Sequence, residues 1–365
     1  MGQRSLRRLR TGFALVASLA LFAGCQSSGG GNTTSGGGST TSGDLSGQSA
    51  TFVTFGGKED PFFRQAFGQP VASRTGLDIT YTSPTDYPKL RTQVETGNVD
   101  WTVVMGDAWW SMKNCGTLLA PRPKGVDVSN IDPKYQVDQC GVAGDTWTYN
   151  LMYDASMFKS DPPTSWADFF DTTKYPGKRG IWGNYVVNGA LEAALLADGV
   201  PQDQLYPLDL DRAFAKLDTI KSDISFFNSQ AQGEELMASK EVSMIITVNS
   251  SGYHLDTAGE DWAPVWDQAL ESWDYWIAPK GANMAAATAI MNQIASPQAQ
   301  SQLDSKTPNG WTVKKIDPQP QFSPVLRAWQ PAAQENTLNL IPLDQQWWAD
   351  NYAAVNDRWT QWVSG

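Results

Sequence analysis

The sequence predicts an α/β fold built as more than one globular unit, on three observations. Strand-like apolar runs alternate with helix-like runs from residue 51 onward. The chain has 365 residues, whereas single cores stop growing at about 250–300 residues. Its 41% hydrophobic and 18% charged residues belong to a globular chain, not a disordered or fibrous one.

The elements follow in order. Thr51 to Phe55 is a β-type run that stops at Gly56-Gly57. Asp60-Pro61 opens a helix, with Asp as N-cap and Pro in the first turn, and Phe62, Phe63, Ala66 and Phe67 form its apolar face. Leu77 to Thr82 alternates as a strand, Tyr87 to Glu95 is a helix ended by Gly97, and Trp101 to Met105 is a buried strand. Strand, helix, strand, helix, strand in that order predicts a parallel unit. A second unit begins with a strand at Trp147 to Tyr153 and a helix at Ser165 to Phe170, capped by Thr164 or Ser165. Arg179 to Trp182 is a strand, Asn188 to Ala197 an Ala/Leu-rich helix ended by Gly199, and Leu210 to Ile220 another helix. Gly233 to Ser239 is a short helix, and Val242 to Val248 and Trp273 to Ala278 are strands. Ala282 to Ala295 is a helix of small residues, and Pro342 to Val363 closes the chain as an aromatic-rich helix.

Composition narrows the function. Lys plus Arg number 27 against 38 Asp plus Glu, a net charge of −11, which lacks the basic footprint that nucleic acids require. One histidine, His254, and three cysteines leave little for a zinc site. No catalytic residue, cofactor or metal is expected. The surplus is aromatic: 16 Trp, 14 Phe and 11 Tyr, enough to build a core and to line a ligand cleft.

Residues 1–24 read as an export signal. Arg4, Arg7, Arg8 and Arg10 precede a short apolar run from Gly12 to Ala23, shorter than the roughly 20 residues that span a bilayer. Leu21-Phe22-Ala23-Gly24-Cys25 resembles the lipobox of bacterial lipoproteins, with Phe22 where that family usually has Leu. The resemblance implies a lipid on Cys25; a plain secretory signal with an incidental Cys is the alternative. Residues 25–50 are then a Gly/Ser/Thr-rich tether with a reach of roughly 25–30 Å. Losing the four arginines of residues 1–24 takes the charge from −11 to −15. The expected location is outside the cytosol, lipid-anchored to the outer face of the cell membrane or periplasmic. There Cys115 and Cys140 are expected either to pair as a disulfide or to stay as two buried thiols.

Several segments resemble, in order, the extracellular solute-binding proteins of ABC importers, of the spermidine/putrescine-binding type. They are Gly56-Gly57 with Ala66-Phe67, Pro70 and Thr75-Gly76-Leu77, then Pro163-Thr164-Ser165-Trp166-Ala167-Asp168 with Tyr175-Pro176-Gly177-Lys178. Phe227-Asn228-Ser229, Met237 to Val242, Trp273 to Ala282, the Thr307-Pro308-Asn309 corner and Trp347-Trp348 follow. The resemblance spans residues 51–363. It implies the two-lobed (type II) periplasmic-binding-protein fold, with lobes joined by crossing hinge strands. Lobe one would be 51–147 plus 274–312, and lobe two 148–273 plus 313–365. It further implies a non-enzymatic monomer that hands a small solute to an ABC permease with its ATPase and touches the membrane through the lipid alone.

In that family an acidic residue matching Asp274 anchors an ammonium group; the alternative is an Asp that caps a turn. Trp273 and Tyr275 flank it, and an aromatic beside a carboxylate suits a desolvated amine. The polyamine binders carry a further acidic pair where this chain has Tyr185-Val186-Val187-Asn188-Gly189. The departure points away from a long polyamine and toward one amine, as in 4-aminobutyrate-like or opine-like solutes. Gly56, Gly57 and Lys58 are candidates for a ligand carboxylate, with Lys58 as a plain surface residue the alternative. Asp107 and Trp109 follow one strand end, Trp182, Tyr185 and Asn188 another, and Asn249, Ser250 and Tyr253 a third. Trp166, Trp347, Trp348, Trp359 and Trp362 recur at helical spacing and read as core. Three other classes remain open: a sugar receptor of the same architecture, an extracellular hydrolase using Glu271 and Asp274, and a surface scaffold.

Overall fold

The computed structural model describes residues 43–365; the export signal, Cys25 and most of the tether lie outside the described residues. The chain runs β1 (Ser49–Val53), α1 (Asp60–Phe63), a π turn (Arg64–Gly68), α2 (Gln69–Thr75), β2 (Asp78–Thr82), α3 (Tyr87–Thr96), β3 (Val103–Asp107) and α4 (Ala108–Asn114). Then come β4 (Val142–Asp154), α5 (Trp166–Phe170), β5 (Lys178–Trp182), α6 (Ala190–Ala197), α7 (Leu210–Asp218), β6 (Ile224–Phe227), α8 (Gln230–Ala238), β7 (Val242–Val248) and α9 (Asn249–Thr257). The chain ends with β8 (Trp262–Ile277), α10 (Met284–Ile294), α11 (Pro297–Asp304), α12 (Pro324–Ala328), β9 (Ile341–Pro342) and α13 (Gln345–Ser364).

One sheet connects everything, in the order β2-β1-β3-β8-β4-β7-β5-β6, with β9 beside β8. Strands β1, β2 and β3 are mutually parallel, and so are β5, β6 and β7. The long antiparallel pair β4 and β8 lies between the two sets. The C-terminal end of β8 pairs with β3, and the C-terminal end of β4 pairs with β7. Each parallel set is thus completed by opposite ends of the same two strands.

Local rules account for most boundaries. Asp86 caps α3 through a bond from Lys89 N, and Gly97 ends it at φ 72. Ser165 and Asp168 form a reciprocal capping box at α5. The first helix starts one residue earlier than expected, with Glu59 as N-cap and Pro61 in the first turn. Asp60 is then free to accept the Thr54 hydroxyl. Trp276 is the centre of the β1–α1 core: it is fully buried, stacked on Phe52 at 4.6 Å and met edge-on by Phe67 at 5.5 Å. Trp166, Trp348 and Trp359 are buried in the core, as their helical spacing indicates, and Trp347 and Trp362 pack against it. Cys115 and Cys140 are joined in a disulfide, with their Cα atoms 5.6 Å apart.

Candidate functional site

A cavity of about 350 Å³ opens where the carboxyl ends of β1, β3, β5 and β7 meet the middle of β4 and β8. Ligand crevices of open α/β sheets lie at such strand ends. Its aromatic wall comprises Phe55, Phe63, Tyr87, Trp147, Tyr149, Trp182 and Tyr185. The polar wall comprises Glu59, Asp107, Gln230, Asn249, Ser250, Asp274 and Asn309.

Three carboxylates form one cross-strand row. Asp107 on β3 pairs with Asp274 on β8, which in turn pairs with Asp145 on β4. Asp107 accepts the hydroxyls of Tyr87 at 2.5 Å and Tyr185 at 2.9 Å. Burial raises its pKa, and those two bonds only partly offset the shift. Asp145 accepts the Asn309 amide at 2.6 Å, and burial pushes its pKa to about 7. Asp274 is 4% exposed, and its Oδ1 has no hydrogen-bond partner. Burial, then the charges of Asp145 and Asp107, push its carboxyl well above the usual range. A buried carboxyl oxygen without a partner, facing a cavity, has the chemistry to receive a cation or a hydrogen-bond donor.

Of the residues that the sequence nominates, Gly56, Asp107, Trp182, Tyr185, Asn249, Ser250 and Asp274 line this cavity. Six do not. Trp273 neighbours Asp274 on a strand, so it faces the opposite side of the sheet. There it meets Tyr135 edge-on at 5.4 Å and lines a separate cavity of about 480 Å³. The aromatic companion of Asp274 is instead Trp147, which lies against it from β4. Trp109 stacks on Tyr352 of α13 at 4.2 Å and donates its indole N–H to the Tyr185 hydroxyl at 3.1 Å, so it braces the wall from behind. Asn188 is 1% exposed and donates to the carbonyls of Trp182 and Tyr185 at 2.8 and 2.7 Å, which fixes the loop that presents those rings. Tyr253 sits one turn into α9, beyond the cavity. Gly57 shares a positive φ with Gly56, and this double turn points Lys58 away, to Glu234 at 3.0 Å.

Phe55, Glu59, Phe63, Tyr87, Met105, Trp147, Tyr149, Gln230, Val248 and Asn309 complete the wall and were not nominated. The sequence held a signal for two of them. Trp147 and Tyr149 stand two apart on a strand, so both rings share one face.

Beside the cavity, His254 of α9 sits between two carboxylates. Its Nε2 is 2.6 Å from Glu59 and its Nδ1 2.6 Å from Glu234 of α8. Burial opposes charging of the imidazole, but the bonds to Glu234 and Glu59 outweigh it and hold the pKa at about 9. Glu59 follows β1 on one side of the central strand pair, whereas Glu234 and His254 belong to the β7-β5-β6 side.

Residues 66–324 match the family described as bacterial extracellular solute-binding protein. The γ-aminobutyric acid-binding protein of Pseudomonas aeruginosa is 29% identical over 331 residues, covering 87% of this chain and 91% of that protein. A GABA receptor of solved structure is 32% identical with a TM-score of 0.78, covering 87% of this chain and 98% of that one. An Agrobacterium tumefaciens binding protein in complex with agropinic acid is 27% identical with a TM-score of 0.72, over 87% of this chain and 99% of that one.

Proposed function

We propose that this chain, which belongs to the bacterial extracellular solute-binding protein family, captures a small amine-containing solute in the 350 Å³ cavity. It is the substrate-binding protein of an ABC transporter and not an enzyme. The observation that carries the amine reading is the unpartnered, buried Oδ1 of Asp274 among aromatic faces. An ammonium there gains a full counter-charge and the π faces of Trp147 and Tyr149. The names of the relatives support it, since two of them are described by γ-aminobutyrate.

Asp274→Asn keeps the shape and leaves the ammonium buried without its partner. Such a loss costs about 3–5 kcal/mol, roughly 150- to 5,000-fold in affinity. Calorimetry with the amine identified by mass spectrometry on the purified protein measures it; a change below about threefold makes Asp274 structural.

Two further parts of the proposal concern the setting. Residues 51–147 with 274–312, and 148–273 with 313–365, act as two lobes that close on the solute about β4 and β8. The chain works as a monomer, tethered by a lipid on Cys25, and passes the solute to a permease with its ATPase. Cys25→Ser is expected to move the protein from the membrane fraction to the soluble one; retention in the membrane fraction refutes the anchor.

A further inference from the structure

We propose that capture is an exchange of a proton for a cation: Asp274 holds a proton until an ammonium takes its place, and that proton then leaves to solvent. This rests on the amine reading and adds what the site gives up to bind the amine. The ammonium keeps all its own protons. One positive charge enters as one departs, so the charge of the cavity is unchanged.

The register of the sheet carries the argument. Asp107 of β3 and Asp145 of β4 stand directly opposite Asp274 of β8, one on each side. Cross-strand partners share a face of the sheet, and like charges placed so repel. Neighbouring strands lie about 4.8 Å apart, so the two outer acids are roughly 10 Å from each other and each is half that from Asp274. One proton on the middle acid relieves both contacts, whereas a proton on either outer acid relieves only one. The hydrogen bonds select the same residue. Asp107 accepts a phenol on each oxygen, from Tyr87 at 2.5 Å and Tyr185 at 2.9 Å, which suits a carboxylate. Asp145 accepts the Asn309 amide at 2.6 Å, but Asp274 Oδ1 has no partner. Among the described residues that line the cavity there is no lysine or arginine. The other titratable groups facing Asp107 and Asp274 are phenols: Tyr149 of β4, Tyr87 of α3, Tyr185 and Tyr352 of α13. Glu59 and Asp304 face Asp145, and His254 is held between Glu59 and Glu234. Burial and the two flanking acids all favour the proton on Asp274. Asp274 and Asp107 line the cavity and Asp145 does not, so an ammonium meets the middle acid from the open side.

The test is calorimetry of 4-aminobutyrate, and of n-butylamine as a second probe, on the exported chain at neutral pH. Titrations in phosphate and in Tris, whose ionisation heats differ, count the protons exchanged. Release of about one proton per bound amine is expected. His254, with its pKa held at about 9, keeps its proton throughout and adds nothing to the count. Infrared difference spectra identify the donor. The carbonyl band of a neutral carboxyl group should vanish when the amine binds to the wild-type protein, which loss of a proton from the amine itself would not produce. Asp274→Asn at saturating amine should show no such loss. Asp304 does not line the cavity, so its own band cancels in the difference. Binding without proton release, release with the carboxyl band unchanged, or a band loss that persists in Asp274→Asn overturns the inference while the amine reading stands. If 4-aminobutyrate, n-butylamine and putrescine all fail to bind, the amine reading falls and takes the inference with it.

Discussion

At the scale of single residues, Asp304 shows, beside the row Asp107–Asp274–Asp145, that an unpaired buried acid is not always part of the site. Asp304 on α11 is fully buried, neither of its carboxyl oxygens has a partner, and it does not line the cavity. Burial and then Asp145 push its pKa well above the usual value. The folded state therefore holds a proton that the unfolded state releases near pH 3.9. Folding stability falls as pH rises above that value, toward the raised folded pKa. Asp304→Asn removes the titration and is expected to stabilise the protein by about 1–3 kcal/mol at pH 7. The gain should fade below about pH 4, and denaturant unfolding at both pH values checks it. The sequence made Asp274 legible, because an acid on an otherwise apolar strand stands out and the family resemblance sets an ammonium anchor there. It left Glu59 and Tyr87 invisible, since one reads as a loop acid and the other as a helix start. Their role depends on which ends of the sheet come together.

Among the elements, boundaries were legible where side-chain chemistry marks them and illegible where long-range packing sets them. The cap at Ser165 and the stop at Gly97 are written locally. Strand β8 is not. Its 16 residues include Pro264 and a positive φ at Gln268, which break the alternation, so the sequence predicts only its last part as strand. Pairing along β4 holds the rest extended. Helix α9 begins Asn249-Ser250-Ser251-Gly252, which reads as a turn. It is helical under Trp329, whose ring lies 2.0 Å from where a Cβ on Gly252 would be. The loop before α6 carries a testable role. Asn188→Ala removes two donors that fix the Trp182 and Tyr185 carbonyls. An effect of about 1.4 kcal/mol, tenfold in affinity, is expected. Calorimetry beside a thermal melt separates this from general unfolding: affinity should fall while the melting temperature shifts by only a few degrees.

Across the whole molecule, two titrations act on capture from opposite sides. Cation binding favours ionised Asp107 and Asp274, whose raised pKa values make affinity rise with pH on the acid side. The Glu59–His254–Glu234 bridge has the opposite sign. Its imidazole has a folded pKa of about 9 against 6.5 unfolded, so its contribution is complete below 6.5 and is lost as pH passes 9. Lys58, on Glu234, is the other cation facing this group, and Tyr253 lies beside the ring at 6.1 Å. A bell-shaped affinity profile is expected, with an alkaline limb near pH 9. His254→Gln should flatten that limb and leave the acid limb in place; a limb unchanged in the variant assigns it to another group.

The sharing of β4 and β8 by both halves of the sheet also governs how the chain is made. Residues 142–154 must wait for 262–277 before either half is complete. The last helix then adds its own closure, with Trp348 donating to Glu192 at 2.9 Å and Trp359 to Gly183 O at 2.7 Å. Neither half is therefore a vectorial folding unit. Such long-separation pairings make folding slow and leave unpaired edges exposed meanwhile. A version truncated before residue 345 loses these bonds and is expected to be a substrate for proteases rather than a smaller receptor.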